Sequence, residues 1–410
     1  YWDAKVDDDH GRGKRNKSPK NYNFFQAKIT KMNKEAKKEY MVNAWQEYKV
    51  SSDTKPIEKY VTSLCFAAMS AKKRIDKCGP EAEKKLIAEY SQLLEYSVFH
   101  GLKANKLSEE QKRGAANMIN LIEEKINRGR TDDNPVLKAR SVFNGRVQRG
   151  LYTKEQTTSP TVMLDAFMLT CIVDAIEERD VAISDVKGAY LNALMDDFVV
   201  MKITGPEVRI FCDLDPSLKE FVIQERGKDV LYVQLDRALY GCVKSALLWY
   251  ETYAGTIKDM GFESNPYDPC VANKEIEGSQ CTICWYVDDN KISHKDSKVV
   301  DEIVEKSEER YGKMPTTRGK EHDFLGMGLK FKEKKVSINM KKHIQKAFDD
   351  FAEDIVRNAA SPAKHYLFEV REDAKKLDEK KANNFHSVVG SMLFLSRRCR
   401  LDIKTAVGFL

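Results

Sequence analysis

Apolar residues fall into three textures along the chain. From Asn23 to about Arg130 they recur at spacings of three and four, as at Leu86, Tyr90, Leu93, Leu94 and Val98, the pattern of helices with one buried face. Ser108-Glu109-Glu110-Gln111 has the form of a capping box. The apolar residues behind it, Met118, Ile119, Leu121, Ile122 and Ile126, extend the helical reading. After Arg130 the texture changes. Short β-like runs at 137–143, 181–186, 198–203, 230–235 and 280–287 alternate with helix-like stretches at 161–178 and 244–260. Strands and helices mixed in this order predict an α+β domain built on an antiparallel sheet. A third region starts near Lys313 and ends in the basic, apolar segment 388–410. No internal repeat is visible.

Composition narrows the class. A chain of 410 residues is too long for one compact core and predicts two or three domains, and 42% hydrophobic residues exclude wholesale disorder. The first two dozen residues have almost nothing to pack. They mix Asp7-Asp8-Asp9 with a basic stretch at 11–20 and read as a flexible charged tail. Lys and Arg outnumber Asp and Glu by 69 to 63, a balance that suits a polyanionic partner. Nine cysteines, an odd number, and no secretory segment predict free thiols in an intracellular compartment, a cytoplasmic particle or the nucleus. No apolar run approaches the roughly 20 residues needed to cross a bilayer, so no membrane partner is expected. The chain begins at Tyr1 rather than Met, as a piece of a longer polyprotein would.

Two segments carry candidate chemistry. In Cys281-Thr282-Ile283-Cys284-Trp285-Tyr286-Val287-Asp288-Asp289-Asn290-Lys291-Ile292-Ser293, paired acids sit between β-like runs, as at the tip of a hairpin. Asp-Asp-Asn is also ordinary turn chemistry. In Val181-Ala182-Ile183-Ser184-Asp185-Val186, an apolar strand ends in an acid that is either a helix cap or a metal ligand. Taken together the segments mean more. Three aspartates from adjacent strands can hold two Mg²⁺ ions about 3.5–4 Å apart, the arrangement that drives in-line displacement at phosphorus. Without metal those carboxylates would repel one another. Cys281-x-x-Cys284 is no zinc site on sequence grounds, because no second pair or His lies at ligand spacing.

Asp185-Val186-x-x-Ala189-Tyr190 and Tyr286-Val287-Asp288-Asp289 resemble the two catalytic palm motifs of reverse transcriptases. Between them, Leu239-Tyr240-Gly241-Cys242-Val243-Lys244-Ser245 with Trp249-Tyr250 is similar to a segment of copia-type retrotransposons. Gly261-Phe262, Tyr267-Asp268-Pro269-Cys270-Val271, Phe324-Leu325-Gly326-Met327 and Val389-Gly390-Ser391-Met392-Leu393 continue the likeness in order, from about Lys138 to the C-terminus. The resemblance implies an RNA-directed DNA polymerase with the α+β right-hand fold, whose palm holds the antiparallel sheet. Residues 24–130 would form a helical N-terminal extension, 131–312 fingers and palm, and 313–410 thumb and the start of a connection.

The resemblance also implies roles. Asp185, Asp288 and Asp289 would bind two Mg²⁺ ions, with Mn²⁺ as a substitute, and Val186 would lend a backbone carbonyl. Tyr190 would lie beneath the incoming sugar as a gate against ribose. Lys138 and Arg140 would grip the triphosphate, Tyr240 and Gly241 would line the nucleotide pocket, and Phe324, Leu325, Gly326 and Met327 would support the primer end. Implied partners are an RNA or DNA template-primer, deoxynucleoside triphosphates, and other polyprotein domains such as integrase and ribonuclease H. The chain leaves no room for the last of these. Two features depart from the family pattern: Ser141-Val142-Phe143 replaces Leu-Val-Ala, and Lys244-Ser245-Ala246 replaces Gln-Ser-Pro. They bear on fingers and template contacts, not on the metal site. A relic that binds nucleic acid without turnover is the alternative function. A related RNA polymerase fits less well, since Val287 stands where glycine is common and Tyr190 where no gate is expected.

Overall fold

The computed structural model describes residues 69–70, 80–125, 136–349, 351, 359, 361–369 and 374–410, all within the unit Phe66–Leu410. The charged tail and the helices expected before residue 69 lie outside the described residues. Three sheets account for the β-like runs, and the fold is α+β as expected.

The first sheet has the order β1 (Met69–Ser70), β3 (Ala116–Lys125), β6 (Val200–Thr204), β8 (Lys228–Leu235), β2 (Phe99–Leu102). In addition β4 (Val136–Phe143) pairs with β3, and β7 (Val222–Glu225) pairs with β8. Helices α1 (Pro80–Glu95) and α4 (Pro206–Leu214) share its core. Leu86, Tyr90 and Leu93 are buried there as their helical spacing predicts, and Tyr90 stacks on Phe211 at 4.3 Å between ring centroids.

One expectation fails in this sheet. Ser108 does form the capping box, its hydroxyl accepting from the Gln111 amide while the Gln111 side chain accepts from the Ser108 amide. The helix it starts, α2 (Glu109–Gly114), then stops, and residues 116–125 continue as β3 rather than as helix. The physical reason is a period of two: Ala116, Asn120 and Ile122 are buried while Asn117 and Ile119 are exposed. The partner lies on the far side of residue 130, because β3 pairs with β4 from Met118↔Phe143 to Lys125↔Val136. The described part of 24–130 is therefore not a separate helical extension. It shares a sheet with residues beyond 130.

The second sheet runs β13 (Thr316–Arg318), β5 (Asp180–Asp185), β12 (Asp289–His294), β11 (Ser279–Tyr286), β10 (Val271–Ile276), β9 (Glu263–Ser264), all antiparallel. The boundary expected near Gly312 is crossed by β13, which pairs with β5. One face is covered by α5 (Ser245–Asp259) and α6 (Ser297–Tyr311), where Trp249, Tyr253, Tyr311 and Trp285 form an aromatic cluster. In α5 the buried positions Trp249, Tyr253 and Ile257 recur every four residues, the spacing of one helical face. Truncating one such aromatic to Ala would cost about 3–5 kcal/mol. The third helix, α3 (Leu164–Ile176), packs on β11 and on the third sheet, where Phe167 stacks on Phe324 at 4.9 Å.

That third sheet is a meander of β14 (Glu321–Phe324), β15 (Met327–Lys332) and β16 (Lys335–Asn339). It is followed by α7 (Lys341–Asp349), α8 (Glu379–Ser396) and α9 (Lys404–Phe409).

Candidate active site

Register brings the acids together. Strand β5 ends at Asp185 and β12 starts at Asp289, and the two are direct cross-strand partners, with Tyr286 opposite Asp289 on its other side. Directly opposed residues of an antiparallel pair have Cβ atoms about 4.5–5.5 Å apart. Val287 and Asp288 form the two-residue turn between β11 and β12, so the third carboxylate sits at the same end of the sheet. The turn is strained. Val287 is β-branched yet adopts φ +58°, a conformation such residues rarely take. Two hydrogen bonds hold it there: Trp249 Nε1 donates to the Val287 carbonyl at 2.7 Å, and the Val186 amide donates to the Asp288 carbonyl at 2.9 Å. All three aspartates are half-buried. Burial, then the neighbouring charges of Asp288 and Asp185, push the Asp289 carboxyl up to about 6.

A pair of tyrosines stands beside this rung. Tyr190, in the 3₁₀ turn Ala189–Asn192, and Tyr240 meet with ring centroids 4.7 Å apart. Burial raises both phenols, Tyr240 to about 12, and the Asp288 charge raises them further; Arg140 opposes this at Tyr240. Arg140 and the exposed Lys138 alternate on one face of β4, with Arg140 3.5 Å from the Glu123 carboxylate. The end of β4 is locked to the tyrosine segment, because the Phe143 amide donates to the Tyr240 carbonyl at 2.7 Å.

A cleft of about 700 Å³ leads from Asp185 and Asp289 past Thr317 and His322 to Gly326, Lys330, Lys341 and Lys342. Leu325 (φ +50°) and Gly326 (φ +76°) make the tight turn between β14 and β15, flanked by the buried Phe324 and Met327. Of those four residues, Gly326 lines the cleft, whereas Phe324 and Met327 belong to the core.

A sequence model described as reverse transcriptase (RNA-dependent DNA polymerase) matches residues 122–363, more than half of the chain. The chain belongs to the reverse transcriptase family. Curated relatives include the Transposon Ty1-DR1 Gag-Pol polyprotein of Saccharomyces cerevisiae, 23% identical over 228 residues, which are 52% of this chain and 12% of that protein. The Truncated transposon Ty1-A Gag-Pol polyprotein of the same yeast is 22% identical over 225 residues, 18% of its length. The chain thus spans less than a fifth of the polyproteins it matches. Among solved structures, a foamy viral protease-reverse transcriptase in complex with ds DNA aligns over 77% of this chain and 40% of its own. Its identity is 12% and its TM-score 0.36. The copia-type resemblance of the motifs is thereby met by copia-type Ty1 relatives.

Reverse transcriptases normally use divalent metals. Among the described residues no three His, Cys, Asp or Glu side chains are gathered tightly enough to hold an ion as they stand. The donor set nevertheless fits a hard cation. Three carboxylates share one end of the sheet, and positive charge would offset both the burial and the repulsion that lift Asp289. By contrast Cys281 and Cys284 are buried in β11, three residues apart and so on opposite faces, with both thiols pushed up to about 12 by burial. Beyond the residues matched by the family, the basic cluster 397–400 is partly engaged within the chain. Arg398 lies 3.5 Å over the Phe394 ring, and Arg400 makes two 2.8 Å hydrogen bonds to Asp402. The cleft lysines Lys330, Lys341 and Lys342 are not singled out by sequence reading. The only signal for the last two is a basic pair directly after a strand.

Proposed function

We infer that this domain is an RNA-directed DNA polymerase that adds deoxynucleotides to the 3′-hydroxyl of a primer on an RNA or DNA template. The observation that carries the reading is the Asp185–Asp289 rung with Asp288 in the adjoining turn, open to a cleft lined further on by Lys330, Lys341 and Lys342, of which Lys330 pairs with Glu321 and Lys342 with Asp323. Asp185, Asp288 and Asp289 would hold Mg²⁺ or Mn²⁺, which supplies Lewis-acid activation of the hydroxyl and neutralises the departing pyrophosphate. The Tyr190 ring, backed by Tyr240, supports the sugar of the incoming nucleotide and leaves no room for a 2′-hydroxyl. Lys138 and Arg140 approach the triphosphate from β4, where their charge favours the leaving group. Gly326 at the β14–β15 turn, with Lys341 and Lys342, lies where a primer strand would leave the site.

The test is primer extension with poly(rA) template, oligo(dT) primer, dTTP and Mg²⁺, followed on a gel. The wild-type domain should extend the primer. Asp185→Asn and Asp288→Asn should each reduce extension to background while keeping the wild-type melting temperature and primer-template affinity. Full activity in either variant would refute the ligand assignment. Binding without any extension by the wild-type domain would favour the relic that binds nucleic acid without turnover.

A further inference from the structure

Beneath the carboxylate rung, β12 carries a lysine in the sheet interior. Lys291 follows Asp289 by two residues and pairs with Ile183 of β5 and Cys284 of β11. Strand side chains alternate, so Lys291 shares the face of Asp289, about 6.6 Å further along the strand. Its side chain and that of Asp174, from α3, are both 0% exposed, and its Nζ donates to Asp174 Oδ2. Arg179, 2% exposed, holds Nη1 3.8 Å from Asp174 Oδ1. The same guanidinium donates to Thr282 Oγ1 of β11 and to Glu177 Oε2, each at 3.0 Å. Asp174 Oδ1 itself accepts no hydrogen bond.

A buried ion pair is a poor device for stability, since desolvating two charges offsets most of their attraction and an apolar pair fills such a space as well or better. What it offers is a fixed length and direction. A lysine stem whose charge meets the Asp174 carboxylate links the strand to the helix at one point. That point lies one side-chain step from the catalytic rung.

We propose that Lys291 is a positioning residue: its ion pair with Asp174 anchors β12 to α3 and so fixes the Asp289 carboxyl against Asp185. The proposal rests on the polymerase reading above for its purpose, but not for its measurement. Lys291→Met combined with Asp174→Leu replaces the pair with apolar side chains of similar size, and Arg179 keeps Glu177 and Thr282. Lys291→Met alone would strand a buried carboxylate beside Arg179, so the double variant is the informative one.

Binding of Mn²⁺ is measured from the electron paramagnetic resonance signal of the free ion, counting only the binding that Asp185→Asn removes. Melting temperature, primer-template affinity and the kcat and KM for dTTP are measured alongside. The double variant should fold and bind primer-template as the wild type does. Its Mn²⁺ affinity and its kcat should each fall about tenfold, as when groups that orient metal ligands are removed, with KM for dTTP unchanged. Wild-type Mn²⁺ affinity and kcat in the folded double variant would overturn the proposal. Loss of the fold in that variant would overturn it too, because the pair would then serve stability. A wild-type domain that binds Mn²⁺ at Asp185 but extends no primer defeats the polymerase reading alone. The Mn²⁺ affinity of the double variant still decides the positioning role.

Discussion

Gly241 is where the segment carrying Tyr240 touches the end of β4, and a methyl group there should do damage that can be apportioned. At φ +93° an L-residue is strained, and a Cβ would stand 2.1 Å from the Phe143 carbonyl oxygen and 3.2 Å from the Phe143 nitrogen. Two glycines separate these effects. Gly150 has φ +83° but no atom within 4 Å of an added Cβ, so Gly150→Ala feels backbone strain alone, about 1–2 kcal/mol. Gly145 has no left-handed φ, but its Cβ would meet the Gly241 carbonyl oxygen at 2.1 Å. Gly145→Ala therefore feels the clash alone, about 1–3 kcal/mol for overpacking. Gly241→Ala combines both and also loosens the 2.7 Å hydrogen bond between Phe143 and Tyr240, worth about 1 kcal/mol. Its cost should reach about 3–6 kcal/mol, a large part of the 5–15 kcal/mol typical of a folded domain. Urea unfolding followed by circular dichroism gives the three values. If Gly145→Ala and Gly241→Ala cost no more than Gly150→Ala, the close approach of these two segments is wrong.

Three further outcomes are expected. Tyr190→Ala should raise the use of ribonucleotides relative to deoxyribonucleotides, read as a ratio of kcat/KM values; an unchanged ratio in a folded, active variant leaves Tyr190 as packing. Reversing Lys341 and Lys342 to Glu should weaken primer-template binding and lower the slope of log affinity against log salt by roughly 2, and an unchanged slope removes both from the interface. Burial holds His322 below its ordinary value of 6.5, so the unfolded chain takes up this proton first as pH falls. The stability it contributes is complete above about 6.5 and is lost as pH drops from there through the lower folded value; His322→Gln should flatten that part of a melting-temperature profile, and an unaltered profile would exclude His322 as the cause.

What the sequence made legible was local. The β11–β12 hairpin, β5 and α5 announce themselves through alternation, apolar runs and spacing, and the acids at their ends were readable as candidates. Helix α2 was legible in its start, through the Ser108 capping box, but not in its end. The apolar residues after it satisfy a period of two as well as a helical one, and only the pairing of β3 with β4 decides between them. Lys291 was illegible for a related reason. A lysine in a strand is ordinarily exposed, and the aspartate that permits its burial lies 117 residues away. Nothing near Gly241 in the sequence reports that Phe143 will come against its backbone. These features depend on which segments meet, not on what each segment prefers.

The same dependence explains why the site needs more than three aspartates. Asp185 and Asp289 come from strands separated by more than 100 residues, so their opposition rests on the β5–β12 register. A slip of one residue would turn Asp185 to the opposite face from Asp289. Several contacts oppose such a slip at the end where the carboxylates lie. The Val186 amide holds the Asp288 carbonyl, Trp249 holds the Val287 carbonyl, and the Asp185 amide donates to the Pro315 carbonyl at 3.2 Å where β13 closes the other side of β5. Each ties a different element to the rung: α5, the turn itself and the segment entering β13. The strain at Val287 is consistent with this arrangement, because an unfavourable φ persists only where surrounding contacts over-determine it. The fold therefore spends local stability at the hairpin tip to keep two carboxylates opposed, and the elements around the sheet make that opposition a property of the tertiary structure.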